Sequence, residues 1–281
     1  MDKYLQTNNI TLHYIEHDGT EPPLVMMPGL SMNAHYFDGL VAAGLNQLRR
    51  VLALDLRGRG LSDKPETGYS FADHAADVIG LLDKLGLEQV ILGGHSFGGL
   101  LTFYLAAKYP ERITKAIVID AAAQLHPRVG ELIKPSVDRL GKPMPSMESY
   151  LQVMRDAPHI KTAWLPEMED FFRYDVETLA DGSVMPRTSL SAIMQVFQAI
   201  MTEKPTDYIS QIQQPLLLLN ATEPYGPPDY PPLLPRENAL ATVAMLPHGR
   251  YVSIGGNHLT MGFGDNAAQI VQAIREFITI A

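Results

Sequence analysis

Short aliphatic runs bounded by turn-forming residues recur along this chain: Ile10 to Ile15, Leu24 to Met27, Arg50 to Leu54, Val90 to Leu92, Ala116 to Ile119, Leu216 to Leu219 and Arg250 to Ile254. Runs this short and this continuously apolar fit strands covered on both faces. Between most of them lie stretches with helical spacing, at Asn33 to Leu48, Phe71 to Leu85, Phe97 to Tyr109 and Asn266 to Ile278. Ser70 with Asp73 has the character of a helix N-cap, and Pro110 is a helix stop. The alternation predicts the α/β class: a doubly wound, mostly parallel sheet with helices on both faces.

The pattern breaks between about 122 and 208. Strand-like runs vanish there, and seven of the thirteen methionines (Met144, Met147, Met154, Met168, Met185, Met194 and Met201) gather with Trp164, Phe171, Phe172, Tyr174 and Phe197. The expectation is a core made of residues 1–121 and 209–281 with a helical insertion at 122–208. Such an insertion needs an apolar core of its own. Soft Met and aromatic side chains also suit a lid over an apolar pocket, and the two readings are compatible.

Composition narrows the partners. With 281 residues, 46% of them hydrophobic, the chain is long enough for one large globular fold. A formal net charge of -9 and the absence of a Lys/Arg cluster exclude nucleic acid and anionic membrane as natural partners, leaving small molecules. There is no cysteine, which excludes disulfides, thiolate metal ligands and a cysteine nucleophile. Met1 to Tyr4 lack the basic and apolar regions of a signal peptide, and the longest purely aliphatic run, Leu216 to Leu219, is far shorter than a membrane span. A cytoplasmic location is expected.

The segment that names a chemistry is Gly94-His95-Ser96-Phe97-Gly98, set between the run ending at Leu92 and the helical stretch after it. A serine on a sharp strand-to-helix turn requires small neighbours two positions away on each side, and both are glycine. The turn lifts the hydroxyl out of the sheet and aims the first helical N–H groups at whatever the oxygen attacks. Such a hydroxyl needs a neutral imidazole to take its proton and an acid to orient the imidazole. Of nine histidines, His258 has the best address. It follows the last strand-like run in Gly255-Gly256-Asn257-His258 and precedes the final helix, so a loop would deliver it to the carboxyl edge of the sheet. His95 adjoins the serine but is expected to point elsewhere, His13 and His17 belong to an N-terminal hairpin, and His35 and His74 lie on helical stretches.

Together with Asp55-Leu56-Arg57-Gly58-Arg59-Gly60-Leu61-Ser62-Asp63, these features resemble the α/β-hydrolase-fold serine hydrolases that carry a helical cap, over nearly the whole chain. The resemblance implies an eight-stranded sheet. It also implies an oxyanion hole formed by the backbone N–H groups of Leu30 and Phe97, although Pro28-Gly29 stands where many relatives have His-Gly. The acid is less plainly marked. Relatives commonly place it after the seventh strand, where Glu223 is one position early and Asp229 five late. Others place it at the tip of the sixth strand, where Ile117-Val118-Ile119 is followed by Asp120, so Asp120 is the first choice and Glu223 the second. The implied activity is cleavage of a small apolar carboxylic ester through an acyl-enzyme, with no metal or organic cofactor. Lactone and carbon–carbon bond hydrolysis, cofactor-free haloperoxidase activity and a receptor that binds without turnover belong to the same fold. A nucleotide site at Gly58-Arg59-Gly60 is disfavoured because Asp63 takes the position of the third glycine and Lys64-Pro65 delays any helix.

Overall fold

The computed structural model describes residues 1–279. Its strands are β1 (Asp2–Thr7), β2 (Ile10–His17), β3 (Leu24–Met27), β4 (Val51–Leu54), β5 (Val90–His95), β6 (Ile113–Ile119), β7 (Val176–Thr178), β8 (Val184–Pro186), β9 (Leu216–Ala221) and β10 (Gly249–Ile254). Eight of them form one sheet in the order β1-β2-β4-β3-β5-β6-β9-β10. β1 pairs antiparallel with β2, and β2 antiparallel with β4; every later pairing is parallel. The N-terminal hairpin turns at Asn8 and Asn9, whose φ values of 43° and 60° suit the tight turn that the strand twist demands.

The continuous apolar runs arise because the parallel strands are covered twice. Leu216 and Leu218 pack into the cluster beneath helices Phe71–Lys84 and Phe97–Lys108. Leu217 and Leu219 point the other way, into the cluster shared with helix Gly264–Thr279. Alternate residues of one strand therefore serve opposite cores. β1 is the contrast, an edge strand with exposed and half-buried positions alternating along it. Ser70 caps Phe71–Lys84 through a reciprocal capping box with Asp73, as the sequence indicates. The helix expected over Asn33 to Leu48 is broken instead. A single 3-10 turn and two short helices, Asp38–Ala42 and Leu45–Leu48, replace it, because Gly44 takes φ 98° between them.

Between β6 and β9 the chain leaves the sheet. It forms five helices, of which Met147–Asp156, Glu167–Asp175 and Leu190–Thr202 are the longest. The expectation of a purely helical stretch fails at β7 and β8, which pair antiparallel as a small ribbon of their own. Three-residue strands broken by Asp181-Gly182 leave too short a periodic signal to read. Tyr150, Phe171 and Phe172 are buried in this excursion and join the cluster that holds Leu217 and Leu219, while Ala192, Val196 and Ile200 join the cluster that holds Leu216 and Leu218. Among the described residues, no helix is long and apolar enough to cross a membrane.

Candidate active site

β5 and β6 lie side by side and parallel, and each is followed directly by a non-glycine residue with a left-handed φ: Ser96 at 53° and Asp120 at 51°. Backbone strain of this kind persists only where the surroundings enforce it. At Ser96 they do so by close approach. A Cβ on Gly94 would sit 2.1 Å from the Gly98 carbonyl oxygen, and one on Gly98 only 2.0 Å from that of Met27. The two glycines let the turn fold against itself and against the end of β3. The Ser96 N–H donates to the Ile119 carbonyl at 2.8 Å, which ties the turn to the neighbouring strand.

His258 stands on the loop after β10, as its position in the sequence implies, and is 5% exposed. Its Nδ1–H donates to Asp120 Oδ2 at 2.7 Å. That bond fixes the tautomer and leaves Nε2 as the bare nitrogen. The second oxygen of Asp120 accepts from the Ala221 backbone N–H at 2.8 Å and from Asn220 Nδ2 at 3.0 Å, both on β9. Asn220 is therefore a site residue that sequence reasoning missed. Its signal was a polar side chain closing an aliphatic strand. Glu223 is exposed and does not reach the imidazole; it contributes only its backbone N–H, which donates to Gly256 at 3.0 Å and anchors the histidine loop. Asp229 is exposed as well.

His95 does not point away from the site. Its Nε2–H donates to the His258 carbonyl at 2.7 Å, and the two rings lie 4.5 Å apart. Burial pushes its pKa well below the usual imidazole value, with the neighbouring His258 adding to the effect, so it stays neutral.

Ser96 Oγ has no hydrogen-bond partner among the described residues and lines a cavity of about 50 Å³ together with Asp120 and His258. The backbone N–H groups of Leu30 and Phe97 likewise make no hydrogen bond among those residues. A larger cavity, of about 560 Å³, lies beyond Tyr225, whose ring meets the His258 ring edge-on at 5.5 Å. Ser31, Met32 and Leu259 form its floor and Met154, Phe171 and Phe172 part of its roof, so part of the Met and aromatic cluster does face a pocket. Met168 is instead wholly buried in the core, and Met201 is exposed. Arg139 lines the cavity with its charge matched by Asp175, which also accepts from Tyr150. Burial, with smaller contributions from His258 and Arg139, pushes the pKa of His159 down to about 4, so it too is neutral at ordinary pH. Among the described residues, no group of three or more His, Asp or Glu side chains is placed to hold a metal ion.

Comparison with known proteins agrees with this architecture. A family model described as alpha/beta hydrolase fold matches residues 22–264. The 2-(acetamidomethylene)succinate hydrolase of Mesorhizobium japonicum is 27% identical over 229 residues, which cover 78% of this chain and 77% of that one. A crystal structure of E-2-(acetamidomethylene)succinate hydrolase superimposes with a TM-score of 0.86 at 22% identity, covering 99% of this chain and 98% of that one. The enol-lactonase from Burkholderia xenovorans superimposes with a TM-score of 0.74 at 22% identity, covering 99% of this chain and all (100%) of that one.

Proposed function

We propose, since the chain belongs to the alpha/beta hydrolase family, that it hydrolyses a small, uncharged carboxylic ester through an acyl-enzyme on Ser96. The observation that carries this reading is the His258–Asp120 hydrogen bond of 2.7 Å beside a cavity that also exposes an unbonded serine hydroxyl. Ser96 Oγ attacks the substrate carbonyl while His258 Nε2 takes its proton, and Asp120 holds the imidazole and stabilises its charged form. The unpaired N–H groups of Leu30 and Phe97 receive the oxyanion. His258 then returns the proton to the leaving alcohol. Water attacks the acyl carbonyl by the same route, and the acid and free Ser96 result. The protein's own groups suffice for every proton and charge in this sequence.

The excursion at 122–208 serves in this reading as the lid that shapes the pocket. An uncharged substrate suits a cavity in which the Arg139 charge is cancelled by Asp175 and His159 is neutral. A second reading, hydrolysis of a lactone or another acyl derivative on the same three residues, is favoured by the likeness to an enol-lactonase and to a hydrolase named for an acetamido substrate.

A panel of p-nitrophenyl esters and lactones of graded acyl length tests both readings. Ester turnover should be repeated rather than stoichiometric, and Ser96→Ala should lower kcat by about four orders of magnitude or more without unfolding the protein. A single stoichiometric burst would favour a receptor. Intact mass unchanged after treatment with a fluorophosphonate would refute the acyl-enzyme.

A further inference from the structure

Arg59 is the largest wholly buried side chain among the described residues, at 0% exposure, and it is charged. Burying a guanidinium ordinarily requires a carboxylate, because the desolvation cost is otherwise unmatched. Arg59 has none among the described residues. Its neighbour Arg57 takes the nearby acid, Asp77, through two hydrogen bonds of 2.6 Å. Arg59 binds only neutral groups: Nε donates to the Leu30 carbonyl at 3.0 Å, and Nη1 to the Arg57 carbonyl at 2.6 Å and to His74 Nε2 at 3.0 Å. His74 spends its Nδ1–H on the Ser70 carbonyl, so its Nε2 is a lone pair able to accept. Nη2 has no hydrogen-bond partner among the described residues, although it is buried. The guanidinium carbon lies 5.2 Å from the centre of the Phe97 ring.

Leu30 and Phe97 are the two residues whose backbone N–H groups are read above as oxyanion donors, and Arg59 touches both. We infer that Arg59 is a positioning residue of the oxyanion hole, clamping Leu30 by its carbonyl and Phe97 by its ring while its unmatched positive charge favours the anionic intermediate. This rests on the acyl-enzyme reading.

The loop after β3 has the anchors that such a clamp requires. Beyond Leu30, the Ser31 carbonyl accepts from Arg139 Nη2 at 3.2 Å, and the Ala34 N–H donates to Asp55 Oδ1 at 2.7 Å. Arg59 holds the end nearest Ser96, Asp55 the far end, and Arg139 joins the middle to the excursion. Donors fixed in advance cost no reorganisation when charge develops on the substrate. A cation without a counter-ion is an energetic liability for folding and an asset beside an anion that exists only during turnover.

The test compares wild type with Arg59→Met, which keeps bulk but not charge, and Arg59→Lys, which keeps charge but not the fork. On a short p-nitrophenyl ester kcat should fall about 10- to 100-fold in Arg59→Met and less in Arg59→Lys, with KM within about twofold of wild type. The inhibition constant of n-butylboronic acid, which forms a tetrahedral anion on serine, should rise by the same factor as kcat falls. A folded Arg59→Met enzyme with kcat within about threefold of wild type overturns the proposal, and so does a lost rate with unchanged boronic acid affinity. In case neither variant folds, the unsubstituted protein supplies the answer: the Arg59 Nε–H NMR signal should shift when the boronic acid binds, and an unmoved signal overturns the proposal. Should Ser96→Ala retain full turnover, the acyl-enzyme reading itself falls. Loss at Ser96 with none at Arg59 sinks the clamp alone.

Discussion

The carboxyl edge of the sheet and the excursion between β6 and β9 are held together by different means. At the sheet edge the groups are buried and connected. Ser96 and Asp120 have left-handed backbones, Asp120 is held by His258, Asn220 and Ala221, and His95 ties the serine turn to the histidine loop. The excursion instead has mostly Met and aromatic side chains inside, where Arg139–Asp175 is its one buried ion pair among the described residues, and its other ion pairs lie outside, such as Glu169 with Arg155 and Arg173, whose side chains are 28–44% exposed. Exposed pairs of this kind stabilise little. Under the proposed mechanism the contrast is one of tolerance: a displacement of a few tenths of an ångström would matter where a proton is to move, whereas a wall of thioethers and rings could repack around a different substrate.

The sharpest way to break this comparison is at the acid. Asp120→Asn keeps the shape of the side chain but reverses the preferred imidazole tautomer, so kcat should fall by about three to four orders of magnitude while Glu223→Gln stays within about twofold of wild type. Steady-state rates of the two variants check it, and a dead Glu223→Gln enzyme with an active Asp120→Asn enzyme would reverse the assignment.

A smaller effect is expected across the pocket. Met154 is 8% exposed and lines the larger cavity. Met154→Ala should raise KM for apolar esters about tenfold, leave kcat nearly unchanged, and cost about 2–3 kcal/mol of stability. If kcat falls as steeply as at Asp120, the excursion is part of the chemical machinery and the division between the two regions fails.

The smallest effect sharpens the contrast through pH. Burial pushes the pKa values of His74, His95 and His159 down, so the unfolded chain takes up protons near pH 6.5 that the folded chain refuses. Their contribution to stability is complete above about pH 6.5 and is lost as pH falls through each lowered pKa, which for His159 is about 4. His13 behaves oppositely. Burial opposes its charge, yet the bond to Asp55 raises its pKa overall, so its stabilisation is present below about pH 6.5 and fades at higher pH. Urea unfolding at pH 7 and pH 5 should show His159→Gln losing less stability on acidification than wild type. Equal losses would show that the His159 imidazole in the excursion is as readily protonated as in the unfolded chain.

Much of the site was legible because its residues sit at element boundaries. Ser96 is marked by flanking glycines that the turn geometry demands, and His258 by a loop between the last strand and the last helix. Asp120 was visible as a carboxylate ending an aliphatic run, but nothing local separated it from Glu223. That choice depended on β6 lying beside β9, which put Asn220 and Ala221 within reach of one carboxylate oxygen and left Glu223 in solvent. Arg59 carried no signal beyond membership of a glycine-rich loop.

The amino-acid order by itself determined most of the sheet's elements and their alternation with helices, because apolar runs, period-3.6 patterns, caps and glycines act over a few residues; it did not reveal the β7/β8 ribbon or the break at Gly44. It also determined which side chain is the proposed nucleophile, since the constraint on its backbone lies within five consecutive positions. Only the tertiary structure decided which acid meets the imidazole, that His95 reaches the His258 carbonyl, and that a buried guanidinium lies beneath Leu30 and Phe97. Those contacts join residues from 29 to 163 positions apart, and no local pattern encodes a distance that only the packing of strands and loops sets.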